Sequence, residues 1–246
     1  MKTEFLNKTV LVTGGTRGIG AAIVKQFYDL NANVLITGTD RKLLEKLNDS
    51  SGSRLKYLYL DFTSTQSIKG FMLKLEKYNQ IDVLVNNAGV NKIDSIDNII
   101  EEDWDNINNV NLKGPFQITK TVSKVMKKNQ QGRIVNISSI FGVVSKAMRA
   151  SYSTTKWGLV GFTKAVAVDL APYNILVNAV SPGFIDTELT RKILGNNGIK
   201  EVVKSVPLKR LAAAEEVARL VVFLSGNQNS YITGQNIIID GGFTSV

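Results

Sequence analysis

The 246-residue sequence has no histidine, no cysteine and only four prolines. Without His and Cys there is no Ser-His-Asp triad, no cysteine nucleophile, no disulfide and no zinc site built from nitrogen and sulfur ligands. Acid–base chemistry near neutral pH must then use a Tyr, Lys, Asp or Glu whose pKa has been moved by its surroundings. Long apolar runs are also missing. Nowhere does the chain stay apolar for about 18 residues, the length a membrane span needs, and residues 1–8 hold no apolar signal core. A soluble cytoplasmic protein is the economical expectation.

What is present is a chain able to bury a core: 43% of residues are hydrophobic and the mean hydropathy is near zero, which excludes disordered and fibrous classes. Lys and Arg number 30 against 21 Asp and Glu, a net charge of +9. Most of these cations are spread along the chain, as on an ordinary solvated surface. Lys120, Lys124, Lys127, Lys128 and Arg133 form one cluster, which suits a helix C-terminus or an acidic partner. Aromatic residues are not interleaved with the basic ones, so nucleic acid is not the expected partner.

Short β-branched runs at 9–13, 33–37, 55–60, 81–85, 133–138, 175–180 and 235–240 alternate with amphipathic stretches at 21–30, 65–78, 103–128, 152–171 and 215–224. Nearly continuous apolar strands, each followed by a helix, predict a parallel sheet buried on both faces. Right-handed crossovers then give one doubly wound Rossmann-type α/β domain over 1–246, with seven strands and helices on both faces. No linker or repeat divides it. Residues 181–207, with Gly195-Asn196-Asn197-Gly198 inside, read as a long irregular excursion, expected to form a flap over a site at about 183–207.

Thr13-Gly14-Gly15-Thr16-Arg17-Gly18-Ile19-Gly20 follows the first strand and opens a helix. Glycines there permit a sharp turn and let backbone N–H groups approach a pyrophosphate at the positive end of the helix. The spacing differs from Gly-x-Gly-x-x-Gly, which indicates a Rossmann variant. No acid stands at the end of the second strand, Val34 to Thr39, to hold a free ribose hydroxyl; Arg17, Arg41 and Lys42 favour a 2′-phosphate, hence NADP over NAD, while Asp40 keeps NAD open. Tyr152 and Lys156 lie one helical turn apart on one face, and a nearby cation would pull a phenol toward neutral pKa. Such a pair is weak on its own.

Taken together, the glycine turn, Asn86-Asn87-Ala88-Gly89, Asn111, Ser139, Tyr152-x3-Lys156 and Pro182-Gly183 resemble the short-chain dehydrogenase/reductase family, in family order and along the whole chain. The resemblance implies Tyr152 as general acid in carbonyl reduction. Lys156 would lower the Tyr152 pKa and hold the nicotinamide ribose. Ser139 would donate to the substrate oxygen, and Asn111 would hold a water for proton resupply. Ser138 competes with Ser139, and Asn109 with Asn111. The implied cofactor cradle is Gly14, Thr16, Arg17, Gly18, Ile19, Gly20, Thr39, Arg41, Asp61, Phe62, Asn87, Ala88, Gly89, Tyr152, Lys156, Pro182, Gly183, Ile185 and Thr187. Asp61 has a second reading as a cap of the following helix. No metal is implied.

The expected activity is NADPH-dependent reduction of a ketone to a secondary alcohol, similar to that of 3-oxoacyl-(acyl carrier protein) reductases. An acidic carrier protein would meet the basic helix end at Lys127, Lys128 and Arg133. Against this, a basic position common in those reductases corresponds to Tyr173 here. The alternatives are a dehydrogenase of a sugar, polyol or other small carbonyl compound and, in another class, a catalytically silent dinucleotide-binding protein. Candidate substrate walls are Val90, Asn91, Val143, Ser145, Phe184, Leu189 and Ile193. The family resemblance also implies a homotetramer or homodimer, commonly built on the long fourth and fifth helices, with the helix 215–224 and Ile237-Ile238-Ile239 as a candidate second interface.

Overall fold

The computed structural model describes residues 4–246, so the first three positions of the N-terminal reading lie outside the described residues. Seven strands are formed: β1 (Thr9–Val12), β2 (Asn33–Gly38), β3 (Leu55–Tyr59), β4 (Val83–Asn86), β5 (Gly132–Ile137), β6 (Ile175–Pro182) and β7 (Asn236–Ile239). All pair in parallel, in the order β3-β2-β1-β4-β5-β6-β7. The register places Val12 between Ile36 and Val85, and Asn136 between Asn86 and Ala179.

Side chains alternate across a strand, so the two faces of the sheet carry different cores. Val10 and Val12 pack with Ile23 and Phe27 of α1 (Gly18–Asp29) and with Val217 and Val221 of α8 (Ala214–Ser225). Leu11 faces the other way. It joins Leu84 and Ile134 beneath Phe71 and Leu75 of α3 (Thr65–Leu75) and Ile118, Val122 and Met126 of α5 (Gly114–Lys128). Strand order reverses at β1, between β2 and β4. In such sheets a crevice opens at the carboxyl ends of the strands beside that reversal, where ligands bind.

Several local expectations change. A helix absent from the sequence reading, α2 (Arg41–Ser50), follows β2; it is short and mostly polar, with only Leu44 buried, and the Asp40 carboxylate caps it by accepting from Leu43 N at 3.1 Å. The stretch expected at 103–128 begins earlier, as α4 (Glu101–Asn108), and passes through a π-helical turn (Asn109–Lys113) before α5. The irregular excursion at 181–207 is corrected. β6 runs to Pro182 and most of the rest is α7 (Glu188–Ser205), capped by Thr187, whose hydroxyl accepts from Thr190 N at 3.2 Å. Gly195, at φ 60° and ψ 179°, leaves helical geometry and divides this span into two helical segments that meet at a kink. Among the described residues no helix is long and apolar enough to cross a membrane.

Candidate active site

The glycine turn joins β1 to α1 at the mouth of the crevice. Gly14 has φ of +63°, and a Cβ there would stand 2.8 Å from Ala88 Cα, so backbone meets backbone only because the side chain is absent. The two strand ends are latched by Thr13 and Asn87. The Thr13 hydroxyl accepts from Asn87 N and Ala88 N, both at 3.0 Å, while Asn87 Nδ2 donates to the carbonyls of Thr13 and Gly14 at 3.0 and 2.9 Å. Asn87 therefore spends its side chain shaping the floor, and Ala88 and Gly89 follow beside it. Arg17 caps the start of α1, exposed and without a side-chain hydrogen bond, and no acidic residue occupies the first turn. An unopposed positive helix end fits a pyrophosphate.

At the end of β2, Thr39 and Arg41 are exposed, and the Arg41 guanidinium lies over the Tyr59 ring, 3.5 Å from its centroid. That stacking holds a planar, permanently charged group ready for a phosphate. Asp40, the residue that kept NAD open, is engaged as the α2 cap. Asp61 accepts from Thr63 N and Thr63 Oγ1 at 2.9 and 2.7 Å; Ser64 caps α3, so the capping alternative for Asp61 is overturned. The Phe62 side chain turns into the core against Gly114. Thr16 sits against Gly38, and Ile19 packs on the core face of α1. Across the crevice, Gly183 rests on the Asp240 backbone and Ile185 is buried in a bridge to Ala212. Thr187 Cγ2 comes within 3.5 Å of the place a Gly18 side chain would take, which brings the start of α7 to the glycine turn.

The chemistry-bearing side chains meet where α6 (Ala150–Leu170) crosses the end of β5. Burial raises the Tyr152 pKa; a hydrogen bond from Ser139 and the charge of Arg149 act against that rise. The Ser139 oxygen accepts from Phe141 N at 3.1 Å, which leaves its O–H free to donate toward the phenol. Ser138, its competitor, instead donates to the Lys156 carbonyl at 3.0 Å and braces α6 on β5. The Lys156 ammonium donates to the Ile137 carbonyl at 2.8 Å and lies 5.6 Å from the Tyr152 ring centroid. Two cations therefore stand near the phenol: Arg149, whose charge opposes the rise in its pKa, and Lys156 beside its ring. Burial lowers the Lys156 pKa to about 8. Gly89 leaves room beside that ammonium: a Cβ there would be 3.6 Å from Nζ and 3.5 Å from Asn111 Oδ1.

Asn111 is fully buried in the π-helical turn, whereas Asn109 is only half-buried. The Asn111 amide accepts from Val90 N at 2.8 Å and donates to Val90 O and Thr155 Oγ1 at 2.9 and 3.2 Å. This side chain ties the loop after β4 to α6. Beneath the site runs a buried polar line that the sequence reading missed: Asn86 donates to Asn136 at 2.8 Å, and Asn136 donates to Thr163 at 2.9 Å. Its only signal in the sequence is an Asn inside otherwise apolar strands. Phe141, Phe184 and Phe243 make successive edge-to-face contacts that lead away from Tyr152. Of these only Phe184 was expected. Arg149 was missed as well, although it stands one helical turn before Tyr152.

The basic cluster divides in the structure. Arg133 is buried and donates to the carbonyls of Gly132, Asn174 and Asn229, so it is withdrawn from the expected docking surface. Lys127 sits over the Tyr173 ring, 4.5 Å from its centroid, while Lys120, Lys124 and Lys128 remain exposed. The helix proposed as a second interface, α8, buries Val217, Ala218, Val221 and Leu224 within this chain and leaves Phe223 39% exposed.

Comparison with known proteins gives the same picture across the chain. A family model described as enoyl-(acyl carrier protein) reductase matches residues 14–244. The 3-oxoacyl-(acyl-carrier-protein) reductase of Chlamydia muridarum is 38% identical over 247 residues, which span 98% of this chain and 99% of that protein. Among solved structures, ElxO with NADP bound aligns with a TM-score of 0.90 at 32% identity, covering 98% of this chain and 100% of that one. The gluconate 5-dehydrogenase of Burkholderia cenocepacia, in complex with NADP and tartrate, aligns with a TM-score of 0.90 at 27% identity and covers 100% and 99% of the two chains. With its motifs, fold and full-length relatives in agreement, the chain belongs to the short-chain dehydrogenase/reductase family of oxidoreductases.

Proposed function

We propose that the chain reduces a ketone to a secondary alcohol with NADPH, and that Tyr152 is the general acid. The observation that carries this reading is the meeting of the Tyr152 phenol with the Ser139 hydroxyl, beside the buried Lys156 ammonium and the opening over Gly89. A bound reduced nicotinamide supplies the hydride. Ser139 holds the substrate oxygen by donating a hydrogen bond that strengthens as charge develops on it. Tyr152 gives its proton to that oxygen. Lys156, with one ammonium proton on Ile137 O, keeps two donors for the ribose hydroxyls at the Gly89 opening. Asn111 keeps the Val90 loop and α6 in register around them. Arg41 on Tyr59 takes the 2′-phosphate, and the N-terminus of α1 takes the pyrophosphate.

The leading substrate is a 3-oxoacyl thioester, supported by the activity named for the Chlamydia relative. The exposed Lys120, Lys124 and Lys128 offer an acidic carrier what remains of the basic cluster. The second reading, a small carbonyl compound such as a sugar acid, is favoured by the unpaired guanidinium of Arg149 and by the substrate named for the Burkholderia neighbour. Exposed Trp104, Phe116 and Trp157 on α4, α5 and α6 support self-association through those helices. The test is NADPH and NADH oxidation with a 3-oxoacyl thioester beside a panel of sugar-derived ketones, in wild type and Tyr152→Phe. Turnover with NADPH that disappears in the variant supports the proposal. Turnover that survives in Tyr152→Phe overturns it.

A further inference from the structure

Arg149 is 7% exposed, and its Nε and Nη1 are buried with no hydrogen-bond partner. Among the described residues no carboxylate pairs with it and no carbonyl accepts from it. Its guanidinium carbon lies 5.6 Å from the centroid of the Phe141 ring, the first aromatic of the row that starts at Tyr152. An arginine can escape burial only by reaching water or a partner, since it does not give up its proton. Nη2 still reaches the surface, but two orphaned nitrogens on a permanent cation are unfavourable and point to a group that completes them.

The local backbone makes the missing charge more conspicuous. Arg149 is the N-cap residue of α6, which has neither a side-chain cap nor an acidic residue in its first turn. A cation there sits at the positive end of the helix dipole, the unfavourable end for it. An anion placed against Arg149 would neutralise both. The cofactor phosphates do not supply that anion, because their place is the glycine turn and Thr187, at the start of α1 and α7. The group belongs to the substrate.

We propose that Arg149 is a specificity-determining residue that binds a carboxylate carried by the ketone substrate, beside the carbonyl presented to Tyr152 and Ser139. This rests on the second reading above, a ketone reductase acting on a small carbonyl compound such as a sugar acid, and it competes with the 3-oxoacyl thioester reading. A carboxylate would pair in two parallel hydrogen bonds with the surface-reaching Nη2 and one of the two orphaned nitrogens, beside the Phe141 ring.

The experiment compares 2-, 3- and 4-oxo acids with their methyl esters under NADPH, in wild type, Arg149→Gln and Arg149→Lys. Wild type should favour at least one oxo acid over its ester in kcat/KM. The acid-to-ester ratio should fall about tenfold or more in Arg149→Gln and less in Arg149→Lys, which keeps the charge. A wild-type preference for every ester, or an equal loss on acid and ester in Arg149→Gln, overturns the proposal; the latter would leave Arg149 acting only on Tyr152. Malonate binding to the NADPH-loaded protein, read by calorimetry, decides the anion site without turnover. Binding that weakens in Arg149→Gln supports it, and binding that is absent or unchanged overturns it. Failure of every ketone with malonate binding retained would sink the reductase reading and leave the anion site standing.

Discussion

The glycine-turn half of the crevice and the Tyr152 half are built on opposite principles. Around the turn, the latching side chains are used up: Thr13 accepts from two amides, Thr37 accepts from Gly14 N, and Asn87 donates to two carbonyls. That half is a finished scaffold that offers backbone to a ligand. Around Tyr152, burial pushes the phenol pKa up and the Lys156 pKa down, and it leaves Arg149 without a partner. Groups in that half are held in costly states, and such states cluster where chemistry is done. The contrast separates residues that shape the crevice from residues that react in it.

Variants on the two sides should therefore fail in different ways. The largest effect belongs to Tyr152→Phe, which removes the acid and keeps the ring against Phe141. Turnover should fall about 10²- to 10⁴-fold while NADPH binding stays within a few-fold, read by steady-state kinetics and fluorescence titration. On the other side, Arg41→Ala removes one charge-assisted phosphate contact. It should raise the KM for NADPH by roughly tenfold or more and leave that for NADH nearly unchanged. Equal loss with both cofactors would place the 2′-phosphate elsewhere. A gentler effect comes from pH. Burial disfavours the charged form of Lys156, so its ammonium persists below pH about 8 and is lost above it. Reduction measured as kcat/KM for NADPH should decline as pH rises through about 8. A profile flat to pH ~10 would remove that proton from the reaction.

The same contrast explains what could be read in the sequence. Parallel strands buried on both faces advertise themselves, so the seven strands and the single sheet were legible from the β-branched runs. The glycine turn was legible because backbone approach has a residue-type signature. Of the proposed reaction centre, Tyr152, Lys156, Ser139 and Asn111 were legible only as a constellation in family order. Arg149 carries no motif. It matters because the fold denies it a partner, which is a property of packing and not of the residue. For the same reason Arg133 read as a surface cation, and only the sheet shows it turned inward onto three carbonyls. The α7 stretch misled because Gly195 and Gly198 read as a loop, whereas only Gly195 leaves helical geometry and a second helical segment resumes directly after it.

Ser138 and Ser139 draw the boundary between the two kinds of residue most finely. They are adjacent, chemically identical and both buried, yet extended backbone sends their side chains to opposite faces. Ser139 faces the phenol, while Ser138 holds the Lys156 carbonyl. Ser138→Ala should therefore act on stability, with the loss of one buried hydrogen bond costing about 1 kcal/mol, or roughly 2–4 °C in Tm for a domain of this size. Its kcat/KM should stay within a few-fold of wild type, because α6 is also held by Asn136 on Thr163 and by Asn111 on Thr155. A hundredfold loss of turnover in Ser138→Ala with Tm unmoved would reverse the two serines. It would make Ser138 the residue that holds the substrate oxygen.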